Sequence, residues 1–170
     1  YDKIFKGSRI GLITNHTGLD SAFRSTIDIL NQQYRITALF APEHGVRGDV
    51  AAGAIVENTV DTVTGIPVYS LYRKDSKRLT DEMLLQVDII VFDIQDVGSR
   101  YYTYLYTMLY AMESCAAAGI PFVVLDRPNP LGGDKVEGNI VHKDYLSFIS
   151  GFPLCMRYGL TIGEFAMMAN

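Results

Sequence analysis

The stretch Val87-Asp88-Ile89-Ile90-Val91-Phe92-Asp93-Ile94-Gln95-Asp96-Val97-Gly98-Ser99-Arg100-Tyr101-Tyr102-Thr103-Tyr104 decides the fold. Residues 89–94 form a short β-branched and aromatic run, the composition of a strand buried on both faces. The chemistry then changes within a few residues. Asp93, Gln95 and Asp96 bring polar groups, Gly98 permits a tight turn, and Arg100 leads through tyrosines into a long apolar segment of helical character. A buried strand that ends in carboxylates, turns at glycine and enters a helix is how open α/β sheets present functional groups. Capping of the following helix by Asp93 and Asp96, with an ion pair to Arg100, would explain the aspartates alone. It would not explain why the pattern recurs at other strand ends.

Outward from this run, the chain alternates strand and helix signals and contains no internal repeat. Residues 9–14 read as a strand that breaks into Asn15-His16-Thr17-Gly18. A helix is predicted over 21–33, with Phe23, Ile27 and Leu30 on one face and Ser21 as a cap. A strand over 36–41 stops at Pro42-Glu43-His44-Gly45-Val46-Arg47-Gly48. Residues 49–64 are rich in glycine and valine and are read as a loop carrying an edge strand. A strand over 67–71 follows, then a short helix opened by Thr80-Asp81-Glu82. A long helix is predicted over 101–118, ended by Gly119. The strand over 122–125 breaks at Asp126-Arg127-Pro128-Asn129-Pro130, where two prolines forbid helix. Thr161-Ile162-Gly163-Glu164 is a capping-box pattern that opens a final apolar helix. Strands separated by helices predict an α/β fold, a doubly wound, mainly parallel sheet of five or six strands.

Composition narrows the function classes. The chain has 170 residues, 48% of them hydrophobic and 20% charged, ordinary values for a globular domain able to bury a sizeable core. A net charge of -4 gives no electrostatic reason to expect nucleic acid or an anionic membrane as partner. No apolar run approaches membrane-spanning length, so membrane insertion is not expected. Two cysteines are too few for a disulfide scaffold. Cys115 falls in an apolar helical pattern and is expected to be packed. The sequence does not specify an oligomeric state.

In a parallel sheet the C-terminal strand ends share one edge, where ligands bind. That edge would gather Asn15 and His16, then Glu43, His44 and Arg47, then Asp93, Gln95, Asp96 and Arg100, then Asp126, Arg127 and Asn129. No metal is expected, because neither HExxH nor paired Cys-x-x-Cys is present. No cofactor is expected either: GxxxxGK[ST] is absent and no GxGxxG follows the first strand. GxSxG is also missing. Paired carboxylates remain. Glu43 with Asp93, Asp96 or Asp126 across a cleft fits the acid and second carboxylate of glycoside hydrolysis, with the choice between retaining and inverting geometry left open. One or two of Tyr101, Tyr102, Tyr104 and Tyr106 could stack on a sugar, the others being core.

Four blocks carry a resemblance: residues 14–18, 42–48, 92–104, and 125–133 (Leu125-Asp126-Arg127-Pro128-Asn129-Pro130-Leu131-Gly132-Gly133). With Gly159-Leu160-Thr161-Ile162-Gly163-Glu164 near the end, they resemble the signature blocks of the DUF1343 family, exo-acting β-N-acetylmuramidases of peptidoglycan recycling. The resemblance implies a Rossmann-like catalytic domain over 1–160. It also implies that 161–170 start a helix leading into a C-terminal region absent from this chain. The implied reaction releases N-acetylmuramic acid from non-reducing ends of peptidoglycan fragments, so the partner is a muramic-acid-containing glycan. Glu43 of the Pro-Glu-His-Gly block is the implied acid/base, with Asp93 and Asp96 as candidate catalytic carboxylates. Asn15, His16, His44, Arg47, Gln95, Arg100, Tyr102, Asp126, Arg127 and Asn129 are the expected substrate-binding set. The lactyl carboxylate of muramic acid calls for a cation, and Arg47, Arg100 and Arg127 are the candidates at strand ends. Peptidoglycan lies outside the cytoplasm, so a secreted or periplasmic home is expected, with cytoplasmic recycling as the alternative. The competing reading is a non-catalytic sugar-binding module built on the same edge.

Overall fold

The computed structural model describes residues 2–48 and 58–170. Six strands form one sheet: β1 (Ile10–Thr14), β2 (Ile36–Ala41), β3 (Thr59–Val60), β4 (Pro67–Ser70), β5 (Ile89–Asp93) and β6 (Phe122–Val124). Their order is β3-β4-β2-β1-β5-β6; every pairing is parallel except β3 with β4. The antiparallel edge strand falls where the loop over 49–64 was expected to carry one. The part of that loop over 49–57 lies outside the described residues.

Strand alternation sorts the apolar side chains into two cores. Ile10, Leu12, Leu39, Ile89 and Val91 face one layer, made by α1 (Asp2–Phe5) and α2 (Thr26–Gln33). Ile13, Phe40, Ile90 and Phe92 face the other, made by α3 (Asp81–Leu84), α4 (Tyr104–Ala118) and α5 (Ile162–Ala169). Residues of β1 and β5 are all buried, which is why their sequence reads as continuous apolar runs. Cys115 packs in the second core, and burial pushes its thiol up to about 12.

Two helices start later than their periodicity suggests. For α2 the cap is Ser25, whose hydroxyl accepts from the Ile27 N–H. The preceding residues are captured by Asp20, whose Oδ1 accepts from the N–H groups of Ala22 and Arg24, both at 2.9 Å. This Asx-type turn leaves Phe23 exposed at φ 58°, off the helical face assigned to it. For α4, the Tyr102 N–H bonds the Ser99 carbonyl in a turn, so the helix opens at Tyr104. It closes at Gly119 in the left-handed conformation, φ 68°, as expected. The capping box at Thr161 and Glu164 forms as read.

Candidate active site

Strand addition reverses direction between β1 and β5, with β2 and β4 on one side and β6 on the other. Loops leaving a sheet at such a point diverge and open a crevice. The loop after β1 turns on Asn15, whose Oδ1 accepts from the Thr17 N–H at 2.9 Å and the Thr17 hydroxyl at 2.6 Å. Asn15 is buried, and its Nδ2 has no hydrogen-bond partner, although the Tyr104 hydroxyl neighbours this side chain. His16 is exposed and lies against Gly48, where a Cβ would stand 2.8 Å from the ring Nδ1. The first and second loops therefore meet.

The second loop carries Glu43. His44 follows in the left-handed region at φ 71°, and Gly45 at φ 79°. A non-glycine residue held there stores backbone strain of the kind found at ligand clamps. Three hydroxyls converge on half-buried Glu43. Thr103 donates to its Oε2 at 3.2 Å, Tyr104 donates to its backbone carbonyl at 3.1 Å, and the Tyr72 phenol neighbours its carboxylate. Tyr102 packs edge-to-face on Tyr104, ring centroids 4.6 Å apart, and burial raises its phenol to about 12. Asn15, His16, Glu43, His44 and Tyr102 thus belong to one neighbourhood. Tyr106 is fully buried and Tyr101 exposed.

The other expected residues hydrogen-bond within the chain. Asp93, 1% exposed, takes a two-pronged grip from Arg127, with Nε 2.6 Å from Oδ1 and Nη2 2.9 Å from Oδ2. Thr26 donates to the same carboxylate, and Arg127 Nη1 donates to the Leu19 carbonyl at 3.0 Å. The alternative explanation of Asp93 and Asp96, an ion pair to Arg100, does not form. Arg100 instead donates to the carbonyls of Asn139 at 2.6 Å and Leu154 at 2.7 Å, strapping the C-terminal coil to the sheet edge. Arg47 grips Asp61 through Nε at 2.8 Å and Nη2 at 2.9 Å, and also reaches Asp28 at 3.1 Å. Gln95 donates to the carbonyls of Asp96 and Pro128 at 2.8 and 2.9 Å. Asn129 donates to the Leu160 carbonyl at 2.9 Å. Asp126 caps α5, accepting from the Gly163 N–H at 2.7 Å and the Thr161 hydroxyl at 2.8 Å.

Asp96 is intermediate between these groups. It is 2% exposed, and its Oδ2 accepts from the Gly98 N–H at 2.6 Å and from the Tyr158 hydroxyl. Its Oδ1 is buried without a partner, and burial lifts the carboxyl above the ordinary range. Among the described residues, no three His, Cys, Asp or Glu side chains gather to hold a metal ion. None of the described helices is long and apolar enough to cross a membrane.

Sequence reading did not select Tyr72, Thr103 or Tyr158. Tyr72 lies just past β4 on the same sheet edge, so the strand-end rule applied to the other strands would have found it. Thr103 and Tyr158 carry no sequence signal for this placement.

Residues 10–170 match the family model described as "Exo-beta-N-acetylmuramidase NamZ, N-terminal". The chain is 55% identical over 172 residues to a Bacillus subtilis (strain 168) protein named peptidoglycan beta-N-acetylmuramidase NamZ, covering all of this chain and 41% of that protein. Two crystal structures of DUF1343 family proteins from Bacteroides fragilis NCTC 9343 are similar to it. One is 51% identical with a TM-score of 0.91, covering 99% of this chain and 42% of that one. The other is 37% identical with a TM-score of 0.84, covering 99% and 43%. The chain spans about two fifths of the length of these relatives, and it belongs to the NamZ exo-β-N-acetylmuramidase (DUF1343) family, to the N-terminal part that the family model describes.

Proposed function

We propose that this chain carries the acid/base of an exo-acting glycosidase that releases N-acetylmuramic acid from non-reducing ends of peptidoglycan fragments. The observation that supports it is the setting of Glu43. It is a half-buried residue at the switch-point crevice, its carboxylate accepting from the Thr103 hydroxyl and its main-chain carbonyl from the Tyr104 hydroxyl, with the Tyr72 phenol alongside. A general acid needs such a partly desolvated, oriented position beside the leaving oxygen. Of the two aspartates expected as catalytic partners, Asp93 has both oxygens engaged by Arg127. Asp96 retains one oxygen without a partner and is the better candidate for the second carboxylate. Asn15, His16, His44 and Tyr102 form the substrate-facing set in this reading, and Tyr102 supplies the aromatic surface for the sugar. In this reading the work is done in a secreted or periplasmic setting, with cytoplasmic recycling as the alternative.

The test is turnover of a chromogenic β-N-acetylmuramide by the full-length protein and its Glu43→Gln variant. Loss of roughly 10²- to 10⁴-fold in kcat, with binding of N-acetylmuramic acid retained, is the expected result for a proton-transfer residue. Undiminished turnover in the variant would remove Glu43 from the mechanism. Binding without turnover in both proteins would leave a sugar-recognition module.

A further inference from the structure

Muramic acid differs from glucosamine by a lactyl carboxylate, and the three arginines expected to receive it are otherwise engaged. Arg47 is held by Asp61 and Asp28, Arg127 by Asp93, and Arg100 by two backbone carbonyls. The chain has 15 lysines and arginines in all, and residues 49–57 contain none. Four of them fall in the loop after β4, at Arg73, Lys74, Lys77 and Arg78, on the same sheet edge as Glu43. Arg73 donates to the Ser70 carbonyl at 2.5 Å and the Arg78 carbonyl at 2.8 Å, and Arg78 pairs with Glu113. Lys77 differs from both. Its Nζ lies 3.7 Å from the centre of the Tyr72 ring and donates to the Arg73 carbonyl at 2.5 Å, which leaves ammonium donors to spare. The carboxylates that act on it electrostatically are those of Glu43 and Asp75. Tyr72 in turn neighbours the Glu43 carboxylate, which acts on its phenol electrostatically.

The geometry points to Lys77 as the residue that recognises the lactyl carboxylate of the muramic acid ring, seated on Tyr72 beside the acid/base. Two observations favour it over its neighbours. Lys77 is half-buried, so an anion there meets a partly desolvated charge, whereas Lys74 is exposed. The Glu43 carboxylate also acts electrostatically on Lys77, so the cation and the proposed acid/base share one neighbourhood. Stacking over Tyr72 fixes the otherwise flexible lysine stem. The inference rests on the glycosidase reading, but it makes a separable claim, about the anion rather than the bond broken.

The experiment compares the full-length protein with its Lys77→Met and Lys77→Arg variants on the chromogenic β-N-acetylmuramide, the same compound with its lactyl group as a methyl ester, and the β-N-acetylglucosaminide. Binding of free N-acetylmuramic acid and its lactyl methyl ester is measured in parallel by calorimetry. Lys77→Met should raise KM for the acid roughly 10- to 100-fold, the range of one charge-assisted hydrogen bond, with kcat little changed. It should leave the ester and the glucosaminide unaffected, and Lys77→Arg should restore most of the loss. Wild-type protein should itself bind the acid more tightly than the ester, a readout that needs no variant to fold. Equal binding of acid and ester by wild type, or the same KM ratio in Lys77→Met, overturns the inference. Absence of turnover, with acid-over-ester binding that depends on Lys77, sinks the glycosidase reading and keeps the anion site. Absence of both turnover and binding removes the two together.

Discussion

Arg127→Met isolates the ion pair beneath the crevice. Asp93 ends β5 with a side chain 2% exposed, while the Arg127 side chain is 23% exposed. Methionine keeps much of the aliphatic stem but withdraws both donors to the carboxylate and the donor to the Leu19 carbonyl. Only the Thr26 hydroxyl remains on a nearly inaccessible carboxylate. Breaking a buried pair by removing one partner costs about 3–5 kcal/mol, because the remaining charge is left uncompensated. The partial exposure of Arg127 lets water approach, so a value near 3 kcal/mol is expected. For a chain of this size that corresponds to a melting temperature lower by roughly 6–12 °C. Thermal and urea unfolding of wild type, Arg127→Met, Asp93→Asn and the double variant would measure it. The double variant, with a neutral amide in place of the charge, should be more stable than Arg127→Met alone. A loss below about 1 kcal/mol in Arg127→Met, or a double variant at least as unstable as the sum of the singles, would refute the reasoning. Asp93 would then return to consideration as a solvated site carboxylate.

Two pH dependences of opposite sign follow from other carboxyls. Arg47 holds Asp61 at about 2, so its contribution is present above the ordinary value of 3.8 and lost as pH falls toward 2. Asp61→Asn should therefore cost about 2 kcal/mol at neutral pH and flatten the acid limb of a urea-midpoint profile, whereas an unchanged limb would count against the pair. Asp96 is raised from 3.8 by burial, so the folded protein keeps its proton while the unfolded chain releases it. Stability from this group is full at acidic pH and declines as pH rises above about 4. The unfolding free energy of wild type minus that of Asp96→Asn should fall over that rise; a flat difference would show a solvated carboxyl.

Sequence legibility followed the physics of each signal. The strands β1 and β5 could be read directly, because burial on both faces forces continuous apolar runs. The capping box of α5 was legible because it is a purely local pair of hydrogen bonds. The start of α2 was not, since Ser21 and Ser25 are equivalent caps by composition and only Asp20's grip on Ala22 and Arg24 separates them. For the candidate site, the strand-end rule gathered Asn15, His16, Glu43 and His44 at one sheet edge, and the loops after β1 and β2 do lie against each other there. It could not say which way a long side chain reaches. Arg47, Arg100 and Arg127 each follow a strand, yet their partners Asp61, Leu154 and Asp93 are 14 to 54 residues away in sequence. Long-range partners leave no periodicity.

Asp126 and Arg127 are consecutive residues just past β6, and consecutive side chains of an extended backbone leave on opposite faces. Arg127 reaches through to Asp93 and Leu19 on the layer of α2, while Asp126 holds Thr161 and Gly163 at the start of α5 in the other layer. A single dipeptide is therefore riveted to both sides of the sheet. Neither helical layer can peel away without pulling on the backbone that anchors the other, so opening on one face carries a penalty on its opposite. Such a rivet converts two separately packed cores into one cooperative unit.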